Sequence, residues 1–66
     1  MKLVVNGEDR DYVGPNSLSA FLLAQGVESV RVAVMVNDEI VPQREREHQS
    51  LRDGDRVEIL VFAGGG

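Results

Sequence analysis

The sequence has no cysteine and no tryptophan, and Lys2 is its sole lysine. Without cysteine there is no disulfide, zinc–thiolate site, iron–sulfur centre or thiol nucleophile. Any sulfur chemistry must therefore use a group other than a side-chain thiol. Long apolar runs are also missing, and those present are far too short to span a bilayer. Met1 to Val5 leads straight into a polar turn with no signal-peptide pattern, so a cytoplasmic protein with no membrane partner is expected. Basic charge is scarce: seven Lys and Arg stand against eleven Asp and Glu, a formal net charge of -4. Arg44 and Arg46 alternate with Glu45 and Glu47, so the richest basic stretch is locally neutralised. Nucleic-acid binding needs an uncompensated basic surface and is not expected.

The chemistry-bearing patterns are equally sparse. No G-x-x-x-x-G-K-[ST] loop is present to cradle phosphates. His48 is a lone histidine in a polar stretch, with no second metal ligand suggested nearby, and reads as a solvated side chain. Asp53-Gly54-Asp55 lacks the twelve-residue ligand loop of a calcium site and reads as a turn. The serines have no evident base or oxyanion partner. The chain reads as a non-enzyme with no bound cofactor and no metal.

What is there is one small domain. Sixty-six residues, 42% of them hydrophobic and 27% charged, suit a globular fold that buries roughly 60% of its unfolded surface. Met1 to Val5 reads as a strand with Met1, Leu3 and Val5 on one face. Asn6-Gly7, both tolerant of positive φ, turns it into a polar second strand over Glu8 to Val13. After Gly14-Pro15, Asn16 or Ser17 caps a helix whose Leu18, Phe21, Leu22 and Gln25 follow the i, i+3, i+4, i+7 spacing. Gly26 stops it. The β-branched run Arg31 to Val36 reads as a central strand, and Asn37-Asp38 turns into a short Glu39-Ile40-Val41 ended by Pro42. Gln43 to Ser50 forms an irregular or single-turn crossover, with Leu51 its anchor in the core. Asp53-Gly54-Asp55 launches the last strand, Arg56 to Phe62, in which Val57, Ile59 and Val61 alternate with Glu58, Leu60 and Phe62. A hairpin, then a helix, then strands gives an α+β roll of the β-grasp type, a mixed sheet of four to five strands on one helix. Residues 1–63 form that domain and 64–66 a flexible glycine tail.

The tail is the one chemical feature. Gly64-Gly65-Gly66 follows the most apolar strand, reaches about 10 Å at roughly 3.3–3.6 Å per residue, and has no β-carbon to block a narrow channel. Its carboxylate, ionised at neutral pH, is a fair nucleophile. Attack on the α-phosphate of ATP gives an acyl-adenylate whose carbonyl then accepts sulfur. With no phosphate-binding loop of its own, the chain needs another protein to perform that activation.

The ordered set Leu3-x-x-Asn6-Gly7, Val36-Asn37-Asp38-Glu39-Ile40-Val41-Pro42, Leu51-Arg52-Asp53-Gly54-Asp55-Arg56-Val57-Glu58-Ile59 and the terminal glycines resembles the sulfur carriers of thiamine biosynthesis, a ubiquitin-like β-grasp family. The likeness covers essentially the whole chain. It implies that Gly66 is adenylated by an E1-like, ATP-using enzyme and converted to a thiocarboxylate with sulfur from a cysteine persulfide. Thiazole synthase would then take that sulfur for the thiazole ring. Gly64 and Gly65 would be the residues threaded into the partner. Gln43 departs from the family, where many relatives carry a basic residue after the proline; here Arg44 comes one position later. Within the same class stand a molybdopterin-type carrier and a ubiquitin-like protein modifier. A non-carrier β-grasp binding module stands outside it. Met35, Leu60 and Phe62, on the sheet face opposite the helix with Ala33, are the expected docking patch. Ordering three tail residues costs on the order of 3–6 kcal/mol, and each such side chain buried on a partner returns about 1.5–3 kcal/mol.

Overall fold

The computed structural model describes residues 1–62. Strand β1 (Lys2–Val5) turns through Asn6 and Gly7, at φ +49° and +83°, into β2 (Glu8–Asp11). Positive φ at both central residues matches the right-handed twist of the flanking strands. Helix α1 (Leu18–Ala24) follows, then a 3₁₀ turn (Ser29–Arg31), β3 (Val32–Val36), β4 (Glu39–Ile40), a second 3₁₀ turn (Gln43–Glu45) and β5 (Arg56–Val61). The five strands lie in the order β2-β1-β5-β3-β4, with β1 and β5 parallel and the other pairs antiparallel. This is the α+β, β-grasp arrangement that the element order implies.

Both ends of α1 are built as the sequence suggests. Of the two candidate caps it is Ser17 that serves, its Oγ accepting from the Ala20 amide at 3.1 Å. At the other end Gly26, at φ +75°, carries the chain out of the helix. The Gly26 amide donates to the Leu23 carbonyl and the Val27 amide to that of Leu22, a Schellman pair that satisfies two terminal carbonyls. Leu18, Phe21 and Leu22 are buried against Leu3, Val5, Val32, Val34, Val36, Val57 and Ile59 of the sheet. Leu51 anchors the crossover in the same core, as its position suggests.

The structure adds detail to the sequence reading and corrects the bounds of two strands. β3 is an interior strand, as its β-branched run suggests, flanked by β5 at the centre of the sheet and by the edge strand β4. Arg31 belongs to the 3₁₀ turn that precedes β3. β2 stops at Asp11, after which Tyr12 turns inward and meets Phe21 edge-on, ring centroids 5.0 Å apart at 83°. Such aromatic pairs stabilise beyond their buried area. Finally, Val61 is paired to the buried Val32 and so shares the core-side face, yet it is 65% exposed. A seven-residue helix spans about 10 Å whereas a six-residue strand spans about 20 Å, so α1 does not reach the end of β5.

The least anticipated residue is Arg46. In the sequence it belongs to an Arg/Glu alternation that reads as locally neutralised; in the structure it is 4% exposed. Its Nε donates to the Val41 carbonyl, Nη1 to the carbonyl and hydroxyl of Ser29, and Nη2 to the Val32 carbonyl. The planar fork of donors suits several acceptors at once. Burial lowers its pKa from the ordinary arginine value, but the guanidinium remains charged at neutral pH. The crossover and the segment entering β3 are thereby tied together.

Candidate functional site

The site is the exit of β5 and the sheet face beside it. Cross-strand partners share a face, so the register Ala33↔Leu60, Met35↔Glu58 and Met35↔Ile40 gathers those residues on the side opposite α1. Met35 and Ala33 are half-buried; Leu60, Phe62 and Ile40 are exposed. Met35, Leu60 and Ile40 make an apolar strip running across β4, β3 and β5, with Glu58 within it. Ile40 is a member that sequence reasoning missed. Its partner Met35 was legible from alternation, but the register that brings Ile40 alongside is set by the Asn37-Asp38 turn, at φ +51° and +71°. Phe62 lies one residue past β5, its amide donating to the Arg31 carbonyl at 3.1 Å. The tail residues Gly64, Gly65 and Gly66 lie outside the described residues.

Two asparagines hold β5 from its flanks, each the first residue of a two-residue turn. Asn37 Oδ1 accepts from the Arg56 amide at 2.9 Å, and its Nδ2 donates to Asp55 Oδ1 at 3.0 Å. Asn6 Oδ1 accepts from the Ile59 amide at 2.8 Å, and its Nδ2 donates to the Ile59 carbonyl at 3.3 Å. The turn aspartates are similarly occupied. Asp53 accepts from the Lys2 amide and Asp55 from the Arg52 amide.

Electrostatically the surroundings are acidic and solvated. Asp9 and Asp11 pair with Val4 and Lys2, which sets them on the open face. Arg56 is engaged by Asp38 at 2.8 Å across the β3–β4 turn. His48 is exposed beside Glu47 at 3.6 Å. A shallow polar cleft runs under the β3–β4 turn, lined by Glu39, Ile40, Pro42, His48 and Arg52 among others. Among the described residues no group of three His, Cys, Asp or Glu side chains is placed to hold a metal. Nor is any described helix long and apolar enough to cross a membrane.

A mixed five-stranded sheet gripping one helix, with the last described strand at its centre, defines a ubiquitin-like β-grasp fold. Residues 3–66 match the ThiS family. The chain belongs to that family, the sulfur carriers of thiamine biosynthesis, whose members carry sulfur and are not catalysts. It is 40% identical over 62 residues to the sulfur carrier protein ThiS of Thermus thermophilus, covering 94% of this chain and 95% of that one. It is 46% identical over 66 residues to a thiazole synthase of Paramagnetospirillum magneticum, covering all of this chain and 20% of that protein, so it spans a fifth of that relative's length. The crystal structure of a thiamine biosynthesis protein (ThiS) from Geobacter metallireducens superposes with a TM-score of 0.85 at 33% identity over the full length of both chains.

Proposed function

We propose that the chain delivers sulfur for the thiazole ring of thiamine as a thiocarboxylate on Gly66. A Gly66 carboxylate oxygen attacks the α-phosphorus of ATP held by an E1-like enzyme, forming the acyl-adenylate and releasing pyrophosphate. The terminal sulfur of a cysteine persulfide attacks the carbonyl and displaces AMP. A thiol then attacks the donor cysteine's sulfur in the resulting acyl disulfide, forming a new disulfide with that cysteine and releasing the thiocarboxylate, which thiazole synthase consumes. ATP is bound by the partner, and the chain itself needs no cofactor. An ATP-dependent activation of this kind fits a cytoplasmic location.

The observation that carries this reading is the family match through residue 66, directly after a β5 whose end lies on an exposed apolar face. Met35, Leu60 and Phe62, joined by Ile40, dock the partner, and Gly64 and Gly65 thread into it. A stretch alike along this whole chain inside a protein named thiazole synthase supports that enzyme as the acceptor of sulfur. The reading is tested by appending one alanine after Gly66. The extended chain should fold with an unchanged melting temperature and give no ATP–pyrophosphate exchange with the activating enzyme. Exchange at the rate of the original chain would show that the terminal carboxylate of Gly66 is not the activated group.

A further inference from the structure

β1 leaves the sheet before β5 ends, and a side chain takes its place. The last backbone rung between the two strands runs from the Asn6 amide to the Val57 carbonyl, at 2.9 Å. Asn6 then takes φ +49° and the chain turns away toward β2. The next peptide of β1 would have met Ile59. In its absence the primary amide of Asn6, which carries the same donor and acceptor as a peptide group, bonds both the amide and the carbonyl of Ile59.

The direction of the remaining backbone groups follows from the β3 side. Bonds from Asn37 to the Arg56 carbonyl and from Phe62 to the Arg31 carbonyl point the even-numbered residues of β5 toward β3. The odd-numbered residues Val57, Ile59 and Val61 therefore point toward β1. Val57 meets the β1 backbone and Ile59 meets Asn6. Val61 points past the end of β1, where the register gives it no partner among the described residues of that strand. Asn6 thus closes the final rung on this edge, two residues before the strand becomes free there.

We infer that Asn6 is a positioning residue for sulfur-carrier function, clamping the β1-side edge of the last strand at Ile59 while β3 holds the other edge as far as Phe62, and so steadying the direction in which the chain continues toward Gly66. The inference rests on the carrier reading above. A tail that leaves the sheet in one direction presents its carboxylate to the partner with less ordering left to do on binding. Asn suits both tasks, because it tolerates the positive φ of the turn and supplies the amide. Glycine at this position fits the turn and lacks the clasp. Aspartate fits the turn and keeps an acceptor for the Ile59 amide, but sets a carboxylate against the Ile59 carbonyl.

The experiment compares the original chain with Asn6→Gly, Asn6→Asp and, as a stability control, Ser17→Ala, which loses a helix cap far along the chain. Amide hydrogen exchange at Ile59, thermal melting and carrier-dependent ATP–pyrophosphate exchange with the activating enzyme are recorded for each. Asn6→Gly should lose about tenfold in Ile59 protection and raise KM for the carrier about tenfold, as two hydrogen bonds are given up, with kcat within about twofold. Asn6→Asp should fall between. Ser17→Ala should melt lower with its KM unchanged. An Asn6→Gly chain with lost Ile59 protection but the original KM would overturn the inference, as would a KM rise of the same size in Ser17→Ala. If Asn6→Gly fails to fold, Asn6→Asp decides by the same comparison. No exchange with the original chain would instead sink the carrier reading itself, and the inference with it.

Discussion

A single nitrogen of Arg46, Nη1, donates to both the carbonyl and the hydroxyl of Ser29, at 2.6 and 2.9 Å. With the bonds to Val41 and Val32, the buried guanidinium satisfies three carbonyls that no other described group reaches with a side chain. Arg46→Met fills similar volume and orphans those acceptors. It should destabilise the domain by about 2–4 kcal/mol, seen as a drop of roughly 4–8 °C in melting temperature per kcal/mol. Arg46→Lys keeps the charge but not the fork and should recover only part of the loss. A methionine variant melting with the original chain would show that the bonds contribute nothing net.

Tyr12 and Gly14 make a second local prediction. A β-carbon on Gly14 would lie 2.7 Å from Tyr12 Oη and 2.9 Å from Cζ. Tyr12 is buried with its ring set edge-on to Phe21, so the contact has little room to relax. Gly14→Ala should cost about 1–3 kcal/mol, and Tyr12→Leu should largely remove that penalty when the two are combined. Additive losses in a double-mutant cycle would contradict the proposed clash.

How far the sequence carried the fold depends on the range of each interaction. The Asn6-Gly7 turn, the Ser17 cap, the Leu18–Phe21–Leu22 stripe and the Gly26 stop are local patterns, and each stands where it was read. Arg46 was not legible, because its acceptors lie up to 17 residues away and an Arg/Glu alternation carries no sign of burial. The second role of Asn6 spans 53 residues. Val61 lies on the face that alternation gives it, but its exposure depends on where the covering helix stops, which alternation does not record. The apolar strip was half visible, as Met35 and Leu60 without Ile40.

The two faces of β5 should respond oppositely to charge. Val57 and Ile59 are buried, so aspartate at either buries an unpaired carboxylate and should unfold a domain this small. Leu60 and Phe62 are 55% and 63% exposed, and aspartate there should leave the melting temperature within a few degrees while weakening partner binding at least about tenfold, a change of ~1.4 kcal/mol. Ile40→Asp should behave like Leu60→Asp. Binding by titration calorimetry alongside melts distinguishes the cases. Unchanged affinity in all three exposed variants would remove the docking strip from the account.

Gly65 is proposed to matter for its lack of a β-carbon. Gly65→Val excludes backbone angles that glycine adopts easily and widens the tail, without touching the reacting carboxylate. Stability should be unchanged, while pyrophosphate exchange by the activating enzyme falls strongly. Gly64→Ala should be milder. Full exchange by Gly65→Val would mean that the partner encloses no narrow channel around the tail.

The central claim is that sulfur is carried on Gly66. It is tested most directly by intact-mass and fragmentation mass spectrometry of the chain after incubation with the activating enzyme, ATP and a persulfide donor. The account predicts a mass gain equal to the exchange of one oxygen for one sulfur, localised to the C-terminal residue and absent without ATP. Sulfur found on Lys2 or elsewhere, or a chain that stays unmodified while the enzyme and donor are shown active on another carrier, would contradict it.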